Sequence, residues 1–177
     1  INEIKRDLNS ENKMFRLLQG DVGSGKTIIA FISAANTIES NYQVAFMAPT
    51  EILAKQHYQL AKKIFKSTNF NIGFLCSNTD LSKKKLLKKK LFDGKINLLI
   101  GTHALFQKDI LFKKLGLVII DEQHKFGVGQ RIELSKKGGE NCDILLMSAT
   151  PIPRSLILAF YGDMDVSRLV EKPAHRK

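Results

Sequence analysis

The sequence predicts an α/β domain: a mostly parallel sheet with helices on both faces. Short apolar runs alternate with amphipathic stretches of helix length, as in repeated strand-helix units. Several runs, among them Val118-Ile119-Ile120 and Ile144-Leu145-Leu146, are apolar at every position, as strands covered on both faces are. One run leads directly into a glycine-rich turn followed by a helical pattern.

The first strand is read over Phe15 to Gln19, just ahead of that turn. Lys26 to Glu39 follows as a buried helix, because Ile28, Ile29, Phe31, Ile32, Ala35 and Ile38 leave it apolar nearly all round. Strands over Gln43 to Met47 and Asn71 to Leu75 bracket a surface helix, Glu51 to Phe65, after the Pro49-Thr50 start. Leu53, His57, Leu60 and Ile64 make its apolar stripe, with Lys55, Lys62, Lys63 and Lys66 elsewhere. Ser82 to Phe92 is a further helix, striped by Leu87 and Leu91. A strand over Ile96 to Ile100, a helix over Ala104 to Phe112, strands over Leu117 to Ile120 and Asp143 to Met147, a helix over Pro153 to Phe160 and a closing strand over Val166 to Val170 complete the reading. No internal repeat or low-complexity linker intervenes, so residues 1–177 are read as one domain.

Composition agrees. With 177 residues, 44% of them apolar, the chain is long enough to bury a substantial core. No run approaches the roughly 18 to 20 apolar residues of a membrane span, and Ile1 to Ser10 lacks a signal-like stretch, so a soluble cytoplasmic protein without a membrane partner is expected. Cys76 and Cys142 sit in no metal or disulfide spacing and read as small buried residues. A net charge of +11 points to a polyanionic partner. Only six of the 28 basic residues are Arg, however, and the densest run, Lys83 to Lys90, reads as a solvated helix face in preference to a DNA contact. A start at Ile1 rather than Met suggests a piece of a longer chain.

Gly20-Asp21-Val22-Gly23-Ser24-Gly25-Lys26-Thr27 matches the phosphate-loop pattern GxxxxGK[ST] in full, with the strand before it and the helix after it that the pattern needs. The glycines let backbone N–H groups turn inward as an anion nest, and the helix N-terminus adds partial positive charge. Lys26 is placed to meet the β- and γ-phosphates of ATP, and the Thr27 hydroxyl to ligate Mg²⁺. Asp121 and Glu122 follow the apolar strand Leu117 to Ile120. Phosphoryl transfer needs one carboxylate for the metal and a second group for the attacking water, so Asp121 is assigned to Mg²⁺ and Glu122 to the water, with the pair expected beside the phosphate loop. This reading requires Lys26 and Asp121 to close on one triphosphate and its magnesium ion.

Asp121-Glu122-Gln123-His124 resembles the DExH form of motif II in superfamily 2 helicases, and the other motifs of that superfamily follow in order. Ala48 to Ala54 resembles motif Ia, Gly101-Thr102-His103-Ala104-Leu105 motif Ib, and Ser148-Ala149-Thr150 motif III. The longer strings Leu17 to Thr27, Ala48 to His57, Gly101 to Gln107, Asp121 to Gly127 and Ser148 to Arg154 are similar to those of the RecG family. Ser24 and Gln123 favour that family over the transcription-repair coupling factors, which usually carry an aromatic and a Glu there; Lys125 and Gly129 depart from its usual pattern.

The resemblance implies a RecA-like P-loop NTPase domain, the first motor lobe of an ATP-dependent DNA helicase of recombination and repair acting on branched or single-stranded DNA. It makes Pro49, Thr50, Gly101, Thr102 and His103 candidate DNA contacts, Ser148, Ala149 and Thr150 a coupling element, and Gln123 and His124 contacts of the partner lobe or of the γ-phosphate side of the bound ATP. It also implies a second RecA-like lobe and a wedge domain in the full-length protein, and little hydrolysis by one lobe alone. Two other readings stand beside it, a transcription-repair type translocase and a P-loop ATPase with no nucleic-acid partner. A non-catalytic module is disfavoured by the intact Lys26, Asp121 and Glu122.

Overall fold

The computed structural model describes residues 1–10, 12–122, 139, 142–150 and 164–169. The strands are β1 (Phe15–Gly20), β2 (Gln43–Met47), β3 (Ile72–Leu75), β4 (Leu98–Gly101), β5 (Leu115–Ile120), β6 (Asp143–Ser148) and β7 (Asp165–Leu169). They form one sheet in the order β3-β4-β2-β5-β6-β1-β7, with every pairing parallel. Helices α1 (Asn2–Leu8), α2 (Lys26–Glu39), α3 (Glu51–Ile64) and α4 (Leu81–Phe92) and a 3₁₀ turn, His103–Phe106, join them.

The continuously apolar strands divide their side chains between two cores. Leu17, Ala45, Met47, Val118, Ile120 and Leu146 face one side with Leu91 of α4; Leu18, Val44, Phe46, Ile119 and Leu145 face the other with Ile29, Phe31 and Ala34 of α2, Ala61 of α3 and Ile4 of α1. Alternate residues of a strand point to opposite faces, so a two-sided core needs an unbroken apolar run. Cys76 and Cys142 are free and buried, and burial pushes the Cys142 thiol up to about 12.

Polar side chains stitch the N-terminal end of the sheet. Gln43, at the start of β2, donates through Nε2 to the Leu91 and Ile96 carbonyls at 2.9 and 2.7 Å, and its Oε1 accepts the Lys113 and Lys114 N–H groups at 2.7 and 3.0 Å. All four hydrogen-bonding positions of the amide are used. Asp143 opens β6 and accepts the Met14 N–H at 2.7 Å, which ties it to the approach to β1. Arg16 on β1 is buried and holds α1 to the sheet through Asp7 at 2.6 Å and, more weakly, Glu3 at 3.5 Å, with Asp165 of β7 at 3.4 Å.

Several boundaries differ from the sequence reading. Helix α1 was not anticipated, since Ile4 is the one buried residue of its seven. The helix expected over Ala104 to Phe112 is the short 3₁₀ turn, and β5 begins two residues early, at Leu115. Strands β3 and β4 start at Ile72 and Leu98 instead of Asn71 and Ile96. The expected helix over Pro153 to Phe160, and Val170, lie outside the described residues.

Candidate functional site

In an all-parallel sheet every strand ends on the same rim, and ligands of open α/β folds bind outside those carboxyl ends. Strand β1 runs out at Gly20 into the glycine loop, β2 at Met47 into Ala48-Pro49-Thr50, and β4 at Gly101 into Thr102 and His103. Strand β5 runs out at Ile120 into Asp121 and Glu122, and β6 at Ser148 into Ala149 and Thr150. The described candidate residues therefore share one rim. The acid pair is not immediately beside the loop, because β6 lies between β5 and β1. At about 4.8 Å per strand the two are roughly 10 Å apart across the sheet.

The loop has the geometry of an anion nest. Gly23 and Gly25 take φ of 81° and 95°, the left-handed region that a side chain disfavours, and a Cβ built on Gly25 meets nothing within 4 Å. Asp21, Val22 and Gly23 are exposed. Gly20 has a different reason to be glycine, since a Cβ there would stand 2.6 Å from the Ser24 hydroxyl and 2.9 Å from Leu169 Cβ. Lys26 is buried, and its ammonium donates to the carbonyls of Gly20 and, at 2.9 Å, Asp21. Thr27 is half-buried in the first turn of α2, where backbone N–H groups have no partner within the helix.

A polyanion fits these residues by a local test. The Ser24 hydroxyl oxygen is buried within the loop with no hydrogen-bond partner among the described residues. A buried hydroxyl left unpaired is costly and asks for a ligand. A divalent cation fits in one way only. Among the described residues no three His, Cys, Asp or Glu side chains converge, so an ion here would rest on Asp121, the Thr27 hydroxyl and the ligand's own oxygens, as Mg²⁺ bound beside phosphates does.

Asp121 is buried and held at three points. Its N–H donates to the Met47 carbonyl at 2.8 Å, its Oδ1 accepts the Glu122 N–H at 3.0 Å, and its Oδ2 stands 2.7 Å from His57 Nε2. His57 sits on α3 with its ring centroid 4.8 Å from that of Phe46. Sequence periodicity put His57 on the apolar stripe of a surface helix; it is buried there, but its ring is a partner of the acid pair. Glu122 adopts φ of 49° at the strand end, a left-handed conformation that is uphill for a residue carrying a Cβ.

The remaining candidates differ in what they offer. Thr50 is exposed and caps α3, its hydroxyl accepting the Leu53 N–H at 3.3 Å. Pro49 is half-buried, and His103 is exposed with its Nε2 3.2 Å from the Ser77 hydroxyl. Gly101 and Thr102 are buried: a Cβ on Gly101 would lie 2.0 Å from the Leu75 carbonyl oxygen, and the Thr102 N–H donates to that same oxygen. Strand packing thus explains the glycine at 101, whereas the bond of Thr102 is a backbone one that does not call for threonine. Buried Ser148 and exposed Thr150 close a tight turn through their hydroxyls at 3.1 Å, with Ala149 between them, and Ser148 lies in register with Gln19 of β1. Gln123 and His124 lie outside the described residues.

The lysine run lies on α4 and is partly engaged with neighbouring polar groups. Lys88 pairs with Asp109, Lys84 donates to Gln107, and Lys83 pairs with Asp80 at 2.8 Å, while Leu91 is buried and Leu86 exposed. Among the described residues no helix is long and apolar enough to cross a membrane.

Comparison with known proteins agrees with this arrangement. The family model of DEAD/DEAH box helicases matches residues 2–157. The ATP-dependent DNA helicase RecG of Thermotoga maritima is 53% identical over 99% of the chain, and that of Bacillus subtilis 49% over its full length. The chain spans only 22% and 26% of those relatives. A solved structure of RecG bound to a three-way DNA junction superposes with a TM-score of 0.85 at 50% identity, covering 99% of this chain and 23% of that one. The helicase MrfA bound to DNA shares the fold, with a TM-score of 0.73 at 16% identity over 94% of this chain and 25% of its own. The chain belongs to the DEAD/DEAH box helicase family and along its length is similar to the RecG proteins within it.

Proposed function

We propose that this chain is the ATP-binding motor lobe of an ATP-dependent DNA helicase that acts on branched DNA in recombination and repair. The observation that carries the reading is one sheet rim with a lysine-bearing anion nest at β1, an acid pair at β5 and a capped helix N-terminus at β2. In this reading Gly20 to Thr27 cradle the phosphates of ATP, and Lys26 exchanges its loop carbonyls for β- and γ-phosphate oxygens. Thr27 and Asp121 hold Mg²⁺, which when bound offsets charge on the phosphate oxygens. Glu122 orients the attacking water and takes its proton as the oxygen adds to the γ-phosphorus and ADP leaves.

Thr50 and Pro49, at the N-terminus of α3, and His103 grip the backbone phosphates of DNA without reading bases, which suits a motor indifferent to sequence. Gly101 and Thr102 serve that grip through the backbone they shape. Ser148 to Thr150 join the ATP side of the rim to the DNA side. A second RecA-like lobe supplies an arginine to the transition state, and a wedge domain of the same full-length chain holds the branch.

The test is the ATPase of the full-length protein with fork, single-stranded and duplex DNA side by side, over a range of salt. Stimulation by DNA, strongest with the fork and weakening as salt rises, is the expected result. A rate indifferent to all three DNAs would favour a P-loop ATPase without a nucleic-acid partner and overturn the proposal.

A further inference from the structure

Among the described residues near the rim, His57 is a buried polar group that ATP phosphate binding does not use. Its ring packs on Phe46, and its Nε2 meets Asp121 Oδ2 at 2.7 Å. A carboxylate only accepts, so the ring nitrogen is the donor. With Oδ1 taken by the Glu122 N–H, each oxygen of Asp121 meets one donor among the described residues. A carboxylate has about four lone-pair sites, which leaves the outward pair free for a cation and sets the direction in which that pair points. The two donors differ in origin. Glu122 belongs to the strand end itself, whereas His57 belongs to α3, whose N-cap is Thr50. Seven residues separate Thr50 from His57, about two turns and roughly 10 Å along one rigid helix. Any shift of the α3 N-terminus therefore reaches Asp121 through a single hydrogen bond.

We propose that His57 is a positioning residue: it aims the metal-facing carboxylate of Asp121, and it makes that aim depend on what the N-terminus of α3 holds. A packing role alone would need only a ring or an aliphatic side chain against Phe46. The hydrogen bond to the acid pair is what such a role does not require. The inference rests on the motor reading above, in which Asp121 faces Mg²⁺ and Thr50 faces DNA.

The experiment uses the full-length protein with His57→Leu, His57→Gln and His57→Asn. Leu keeps apolar packing and removes the donor; Gln restores a donor near the Nε2 position, and Asn places one nearer Nδ1. Binding of a fluorescent ATP analogue is followed without turnover as Mg²⁺ is titrated, with and without single-stranded DNA, and ATPase is measured in parallel. The Mg²⁺ concentration for half-maximal binding should rise about 10-fold or more in the Leu variant, as loss of a partner behind a metal ligand usually gives. DNA should no longer shift that concentration, kcat should fall while KM for ATP at saturating Mg²⁺ holds, and Gln but not Asn should restore most of the loss. A folded Leu variant with the unaltered Mg²⁺ and DNA dependence overturns the proposal. If Leu does not fold, the Gln and Asn variants decide, and equal behaviour of those two overturns it. Lys26→Ala run alongside separates the failures: nucleotide binding that survives this change removes the motor reading itself, whereas its loss beside an unaffected His57→Leu removes only the role of His57.

Discussion

Glu122 holds a backbone conformation that costs energy, since its φ of 49° lies where glycine or asparagine would rest more easily. Under the motor reading, Glu122→Gln keeps shape and hydrogen-bonding reach while removing the proposed base, so DNA-stimulated turnover should fall by at least about 100-fold with ATP affinity unchanged, measured by turnover and equilibrium binding on the full-length protein. Asp143 has its carboxyl pushed up to about 6 by burial, against an ordinary value of 3.8, although the Met14 N–H pulls the other way. It keeps its proton in the native state where the unfolded chain has lost it. The stability this gives is full below about pH 4 and is lost as pH rises through 6. In a thermal denaturation series, the advantage of Asp143→Asn over the unaltered chain should be absent at low pH, grow across that window and then level off. An advantage that does not change with pH would contradict it. Lys26, Asp121 and Glu122 were legible as site candidates because each sits in a local string with chemical meaning. His57 was not, because its partner is 64 residues away and nothing in a helical stripe distinguishes a buried ring with an acid beside it from one without.

Elements with strong periodicity or a flanking signal were read closely. Helix α2 and strand β2 match the expected bounds, and α3 ends one residue sooner than expected. The failures share a cause: the deciding contact lies elsewhere in the chain. Helix α1 is held by Arg16 of β1, and no pattern within seven residues records that. Gly116 hid the start of β5, yet a Cβ there would lie 2.7 Å from Tyr42, so glycine is what the neighbouring segment requires in the strand. Gly101 is the sharper case, closing β4 against the backbone of β3. Gly101→Ala should lower unfolding free energy by about 1–3 kcal/mol or more, and amide exchange should show the loss concentrated in β3 and β4. If chemical denaturation finds the variant as stable as the parent, the close approach at Leu75 is wrong.

At the scale of the whole molecule the fold was legible from alternation and unbroken apolar runs, because a two-sided parallel sheet leaves both marks in a linear string. Strand order was not, and the single strand between loop and acid pair follows from it. Under the motor reading, this 177-residue chain by itself should bind Mg-ATP weakly and show no DNA-stimulated phosphate release, since the transition-state arginine belongs to another lobe. Brisk stimulated release from it in a coupled assay would contradict that division of labour. The bonds of Gln43 and Asp143 have a wider consequence, because they anchor the end of the sheet opposite the candidate chemistry. Damage should sort along the strand axis. In a saturation library screened first for yield of intact protein and then for catalysis, substitutions near Gln43 should drop out at the first screen. Those near Asp121 should pass it and be eliminated at the second.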